Sequence, residues 1–248
     1  MQSELILVYE RFKASTSFSL EMSERLSPPL LLYVPKTWLT SKERILLVGQ
    51  ETLGWGFTSG HYYEWRYPPI PDFSAFKAAP VSVTAMVHGY KMFEFARHQP
   101  ENYRSPFWRA YRQCRTMLGE AKDGIETSVL WTNLFRMSLD GGRVLNGSET
   151  EVTQLLDAGK ELLRREILIL RPTAVVFFTG PDYNSALYTT FPSMEVTDFN
   201  GHDSSRTAKV SHPDLPNRAW RTYHPNHLSF RKWHILDQVY DAITHTRA

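Results

Sequence analysis

Ile45-Leu46-Leu47-Val48-Gly49-Gln50-Glu51-Thr52-Leu53-Gly54-Trp55-Gly56-Phe57 is the stretch from which the fold is read. Four consecutive apolar residues ending in a glycine turn read as a strand buried on both faces. Open α/β sheets place their ligands just beyond the carboxyl ends of such strands. A second stretch repeats the arrangement far along the chain. There the β-prone run Ala219-Trp220-Arg221-Thr222-Tyr223 leads into His224-Pro225-Asn226-His227-Leu228-Ser229. One strand end carries a carboxylate and the other a histidine, which are parts of a hydrolytic site. The chain therefore reads as an enzyme.

Helix-like and strand-like segments alternate outward from these anchors. Residues 3–14 read as helix, and Pro28, Pro29 and Pro35 punctuate the chain that follows. Residues 44–48 are the first buried strand; residues 55–80, rich in aromatics, Gly and Pro, read as an irregular loop over the site. Helical patterns cover 81–98 and 106–119, the second opening with Ser105 as N-cap and Pro106 at the first helical position. Residues 128–132 form a second strand ending at Asn133, and 149–170 an amphipathic helix that stops before Pro172. A third strand spans 173–178, ends at Thr179-Gly180-Pro181 and is followed by a short helix. Residues 195–217 are polar and turn-rich, with room for a hairpin or an extra strand. The fourth main strand covers 219–223 and a closing helix 229–244. Strands separated by helices argue for a short, mostly parallel four-stranded sheet covered on both faces. No linker divides the chain, so residues 1–248 are expected to form one domain.

Composition excludes several classes. With 42% apolar and 22% charged residues, the 248-residue chain is ordinary for a globular protein. The net charge of +2 is unevenly spread, with Arg104, Arg109, Arg112 and Arg115 in one stretch and Arg218, Arg221, Arg231 and Lys232 in another. Local basic surface points to a polyanionic partner, and the near-neutral total argues against a protein that merely coats DNA. Solvated helix faces are the plain alternative. Cys114 is the only cysteine, which excludes internal disulfides, zinc ribbons and four-cysteine iron–sulfur clusters. Glu4, Glu10, Arg11 and Lys13 interrupt any signal-peptide core. No apolar run approaches the ~20 residues that span a bilayer. A soluble, cytoplasmic protein without a membrane partner is expected.

In this order the segments resemble the uracil-DNA glycosylase superfamily, whose fold is a three-layer α/β/α sandwich around a short parallel sheet. Its members carry a first motif such as GQDPY or GMNPGPFGM and a second such as HPSPL. Gly49 and Gln50 match the first form, and Trp55 and Gly56 fall where the second form, from the single-strand-selective monofunctional branch, has an aromatic residue and glycine. His224, Pro225, Leu228 and Ser229 match the later motif. The chain departs from the pattern at Glu51-Thr52, which replaces Asp-Pro or Asn-Pro, at Leu53, and at Asn226-His227, which replaces Ser-Pro. The resemblance implies a monofunctional DNA glycosylase that uses no cofactor or metal. It would act as a monomer on double- or single-stranded DNA, in repair or in defence against phage DNA.

Cleaving a base from its sugar builds an oxocarbenium-like sugar and an anionic leaving base. A carboxylate near the sugar stabilises that cation and orients a water, a role that suits Glu51. A donor aimed at the base O2 stabilises the leaving anion, typically by about 2.7–4 kcal/mol. The resemblance assigns that donor to His224. Gln50, Leu53, Phe57 and Asn133 are candidate base-binding residues. The Asn133 amide suits uracil or, flipped, cytosine, with a helix N-cap as the bland alternative. Trp55 and Phe57 are candidates for stacking on an extruded base, or for simple packing. Asn226, His227, Leu228, Ser229, Arg231 and Lys232 form the candidate DNA-binding segment. In it Leu228 would wedge into the base stack, Arg231 and Lys232 would meet phosphate, and Ser229 would contact the backbone or cap the final helix.

Two other classes remain. His224, His227, His202, His212, Asp203 and Asp214 are candidate ligands of a metal-dependent hydrolase, although their spacing matches no zinc pattern. A binding protein on the same fold, without chemistry, is the other.

Leu53 generates a testable expectation. Where the GQDPY branch has an aromatic ring closing the pocket against substituents at pyrimidine C5, this chain has the smaller Leu53. Hydroxymethylated or otherwise 5-substituted pyrimidines are expected to be released at least as well as uracil. Leu53→Tyr is expected to suppress release of the bulky base more than release of uracil, read by mass spectrometry of free base. Release of uracil alone by the wild type would contradict the widened pocket.

Overall fold

The computed structural model describes residues 1–52, 55, 67–95, 105–120, 126–229 and 231–245. Leu53, Gly54, Gly56, Phe57 and Arg104 lie outside the described residues. In chain order the elements begin α1 (Gln2–Ser15), α2 (Leu20–Arg25), α3 (Lys36–Thr40), β1 (Ile45–Gly49), α4 (Phe73–Ala78), α5 (Ser82–Phe95), α6 (Pro106–Met117) and β2 (Val129–Asn133). They continue with α7 (Glu149–Leu170), β3 (Ala174–Phe177), α8 (Asn184–Thr190), β4 (Glu195–Asp198), β5 (Ala208–Ser211), β6 (Ala219–Arg221), α9 (Pro225–Leu228) and α10 (Trp233–His245). The class is α/β. Among the described residues no helix is long and apolar enough to cross a membrane.

The chain packs into two compact units, each assembled from separate stretches. The first comprises Met1–Val34, Glu51–Pro100 and Asn133–Ile169. Its core is built from helical stripes: Leu5, Tyr9 and Phe12 of α1, Phe73 and Phe76 of α4, Val83, Met86, Tyr90 and Phe93 of α5, and Leu155, Leu162, Leu163 and Ile167 of α7. Helix α4 lies inside the segment expected to be irregular. It forms because the Asp72 carboxylate accepts the Ala75 N–H at 2.7 Å, the cap that starts a short helix. Lys77 of α4 in turn donates to the carbonyls of Lys13, Ala14 and Thr16, satisfying the open end of α1.

A charged network lies inside this apolar core. Arg136 Nη2 sits 2.5 Å from Glu166 Oε1, with both side chains fully buried, and donates to the Leu30 carbonyl at 2.8 Å. The Tyr9 hydroxyl donates to the same Glu166 oxygen at 2.8 Å and accepts the Leu32 N–H at 3.0 Å. Burial pushes the Glu166 carboxyl up to about 7, against the pull of Arg136 and of the Tyr9 hydrogen bond, and pushes the Tyr9 phenol up as well. Four places along the chain meet at these two charges: α1 at Tyr9, the Leu30–Leu32 segment, Arg136 and α7 at Glu166.

The second unit comprises Pro35–Gln50, Glu101–Thr132 and Leu170–Ala248. It carries the sheet, in the order β2-β1-β3-β6-β5-β4. Strands β1 and β3 pair in parallel, Ile45 opposite Ala174 through Val48 opposite Phe177, and β3 pairs in parallel with β6. All three are buried along their whole length, which explains their continuous apolar runs. The expected four-stranded, mostly parallel sheet is corrected to a mixed, six-stranded one. The polar 195–217 segment supplies the two further strands, with β4 antiparallel to β5 and β5 antiparallel to β6. Its polarity has a physical reason, since β5 alternates buried and exposed residues and β4 forms an exposed edge.

Helix ends follow local chemistry closely. Helix α7 spans the expected 149–170 and stops at Arg171, which takes a left-handed φ of 47° just before Pro172. Pro106 opens α6 as expected, but the Ser105 side chain makes no capping bond. Cys114, on the buried face of α6, has its thiol pushed far above the ordinary range by burial.

Glu166 makes stability depend on pH in a stated direction. Its folded-state value lies above the ordinary one, so the stability it contributes is whole at acid pH and is lost as pH rises through about 7. Urea midpoints are expected to fall between pH 5 and pH 8, and Glu166→Gln, whose amide does not titrate, should flatten that slope. An unchanged slope in the variant would show that other groups set it.

Candidate active site

Parallel pairing brings the carboxyl ends of β1, β3 and β6 to one edge of the second unit's sheet. Hydrogen bonding continues past the strands: Phe178 N donates to Val48 O at 2.7 Å, Thr222 N to Phe177 O at 2.9 Å, and Gly180 N to Thr222 O at 3.0 Å. Gln50, just after β1, donates from Nε2 to Thr179 O at 2.7 Å. Only an amide NH₂ can donate to a carbonyl, so this bond sets the orientation of the Gln50 amide. Gly180 turns the chain with a φ of +69°, and a Cβ there would lie 3.8 Å from both Gln50 Nε2 and His224 N. Gln50, Gly180 and His224, drawn from three strand ends, therefore converge.

His224 is the N-cap of α9, with Pro225 at the first helical position. The Asn226 N–H donates to its Nδ1 at 3.3 Å. An imidazole nitrogen that accepts a hydrogen bond carries no proton, so the neutral ring holds its proton on Nε2. The Phe107 ring lies nearly parallel to this imidazole, with centroids 6.0 Å apart and planes at 15°. Phe107 stands in the first turn of α6 and meets the edges or faces of Trp131 and Phe178, each at 6.1 Å. Gln50, Phe107 and His224 are half-buried. Thr179 Oγ1, fully buried below them, has no hydrogen-bond partner among the described residues. An oriented amide, an imidazole N–H and an aromatic face suit a planar ring bearing carbonyl groups. Phe107 and Phe178 escaped the sequence reading. Phe178 carried a signal, as the last apolar residue before the Thr179-Gly180 turn.

The other expected motif residues belong to the first unit. Glu51 follows Gln50 in the chain, and its carboxylate accepts the Val144 N–H at 2.9 Å. Arg143 Nε lies 3.9 Å from it, and the Glu51 side chain is only 3% exposed. The carboxylate thus anchors the short 3₁₀ turn Val144–Asn146. Asn133 ends β2 at 5% exposure, and no helix follows it. The N-cap alternative for Asn133 is therefore set aside. Trp55 is packed in the core with its ring edge-on to Phe93 at 5.5 Å, so its role is packing.

The expected DNA-binding segment divides by exposure. Asn226, His227, Ser229 and Arg231 are exposed and Lys232 half-buried, whereas Leu228 is fully buried. Leu228 is thus withdrawn from the position a wedge requires. The final helix begins at Trp233 rather than 229, because α9 intervenes; Ser229 ends α9 and donates its hydroxyl to Asn226 O at 2.7 Å. Three of the basic residues turn inward. Arg115 is buried against Glu120 and Glu126 O. Arg218 binds Glu43, Thr173 O and Ile243 O, and Arg221 binds Asn184 and Ser204 O.

The histidines considered as metal ligands are dispersed. His202 Nε2 bonds Gln238 at 2.6 Å, His212 Nδ1 accepts the Asp214 N–H at 3.1 Å, and Asp203 pairs with Arg206. Among the described residues no three His, Cys, Asp or Glu side chains converge to hold a metal ion.

The His224 geometry predicts a measurable tautomer. Ring-nitrogen NMR shifts should show the Nε2-protonated neutral form. Asn226→Pro removes the N–H that donates to Nδ1, at a helix position that tolerates proline. The variant is expected to shift the ring toward the Nδ1-protonated form, and an unaltered ratio would mean that the Asn226 bond does not set it.

Comparison with known family models and with curated proteins finds no match to this chain.

Proposed function

We propose that this chain is a monofunctional DNA glycosylase, a divergent member of the uracil-DNA glycosylase superfamily. It hydrolyses the bond between deoxyribose and an extruded uracil-type or 5-modified pyrimidine and leaves an abasic site. The superfamily's three-layer sandwich, action as a monomer without a cofactor and a cytoplasmic location are parts of the same proposal. The observation that carries it is the His224 ring, its Nδ1 held by the Asn226 N–H, beside Gln50 and Gly180 at the sheet edge.

In this reading the base lies against Phe107 with its O2 toward Nε2–H of His224. The C1′–N1 bond breaks with its electron pair passing to the base, and the imidazole N–H stabilises the charge that develops on O2. A neutral donor suits an anion that must leave, because it stabilises charge without transferring a proton. The resemblance gives Glu51 the part of a carboxylate that opposes the positive charge on the sugar and orients a water, whose oxygen bonds to C1′ and whose proton ends on the released base. The Asn133 amide, at the end of β2, is the candidate for recognising the pyrimidine edge. Repair of deaminated cytosine and attack on modified phage DNA both use this chemistry.

One observation favours a second reading. The Glu51 carboxylate is already engaged by the Val144 N–H and is almost fully buried. A carboxylate committed to a turn suits a DNA-binding protein without chemistry.

The two readings separate in one experiment. Oligonucleotides carrying uracil, 5-hydroxymethyluracil or modified cytosines are incubated with the protein, and free base and alkali-labile sites are measured. Base release is expected, with His224→Ala lowering it about 10²–10³-fold, as for loss of one preorganised donor. Glu51→Gln should also lower release strongly while DNA binding stays near wild type. DNA binding without released base would favour the binding protein, and full activity in both variants would remove Glu51 and His224 from the mechanism.

A further inference from the structure

The segment expected to present Leu228 presents a different side chain. Leu228 is fully buried, whereas His227, one residue earlier on α9, is exposed. The His227 ring lies flat on Tyr223, with centroids 4.3 Å apart and planes at 15°. Lys232 Nζ lies 3.4 Å from His227 Nε2 and 5.3 Å from the Tyr223 ring centroid. An ammonium can only donate, so in this contact Nε2 is the acceptor. The result is a flat imidazole, backed by a phenol and flanked by a cation.

The surroundings are basic. Arg231 is exposed, held at a left-handed φ of 64°, and has no hydrogen bond or ion pair among the described residues. The exposed Arg109 of α6 stacks on Trp233, with its guanidinium carbon 4.2 Å from the ring. The nearby Asp237 carboxylate is engaged by the Gln113 amide at 2.7 Å. Flat aromatic surface flanked by cations is the combination that binds a nucleic-acid strand through both its bases and its phosphates.

We propose that the Tyr223–His227 stack is a platform for an unpaired base of a bound DNA strand, with Lys232 and Arg231 meeting the flanking phosphates. This rests on the DNA-directed reading above and deepens it, replacing the expected Leu228 wedge with a stacking side chain. His227 extends the ring pile by one layer, and a base continues it. The imidazole needs no ordering step, because Tyr223 and Lys232 already hold it.

Two fluorescein-labelled probes of equal length test the proposal: a single-stranded 15-mer oligodeoxynucleotide, and a 15-mer of abasic deoxyribose phosphates with the same backbone charge. The wild type should bind the base-containing strand more tightly. His227→Ala should weaken that binding by about 5- to 100-fold and leave the abasic probe unaffected, as expected for loss of one base–aromatic stack. His227→Phe should keep the affinity. Arg231→Ala should weaken both probes alike and lower the salt slope. His227→Ala acting equally on both probes, or on neither, overturns the platform while leaving DNA binding intact. A wild type that binds neither probe overturns the platform and the DNA reading together.

Discussion

The candidate site depends on a run of backbone hydrogen bonds that outlasts the strands it belongs to. Thr222 N donates to Phe177 O, and Thr222 O then accepts from Gly180 N, so β3 and β6 stay locked for a further step beyond their ends. That step carries the left-handed turn at Gly180 to the main chain of His224, and the Gln50 amide closes the other side through Thr179 O. Side chains mounted on such a ladder inherit the rigidity of the sheet. A catalytic donor gains from this, since a group already in position pays no reorganisation cost when charge appears.

Much of the charge in this protein serves architecture. Arg136 and Glu166 join separated stretches inside the first unit, Arg218 and Glu43 bond together in the second, and Arg115 and Arg221 spend their donors on carbonyls and buried partners. Breaking one partner of a fully buried pair costs about 3–5 kcal/mol, because the other charge is left uncompensated. The cations left at the surface near His224 are few, chiefly Arg231, Lys232 and Arg109.

Much of this was legible in the sequence, for identifiable reasons. Strands buried on both faces must be apolar throughout, so β1, β3 and β6 were evident from Ile45–Val48, Ala174–Phe177 and the run at Ala219. Helix α7 declared both its stripe and its stop at Pro172. The β4–β5 hairpin was hidden because an exposed edge needs no apolar signature. At the site, His224 and Gln50 were legible from their place after strands. Phe107 was not, because its meeting with His224 depends on where α6 packs rather than on any local pattern. The burial of Leu228 was hidden for a related reason. A four-residue helix sets which of two neighbours faces inward, and no periodicity can be read over so short a span.

Cys114 carries a consequence for chemistry done to the protein rather than by it. The chain's single thiol is fully buried on α6, and burial holds it in the protonated, unreactive form. Alkylating reagents and mild oxidants therefore find no native thiolate in the folded chain. A cysteine introduced at an exposed position such as Asn226 would be the one reactive thiol, so a fluorophore or a spin label could be attached beside His224 without first removing a native residue.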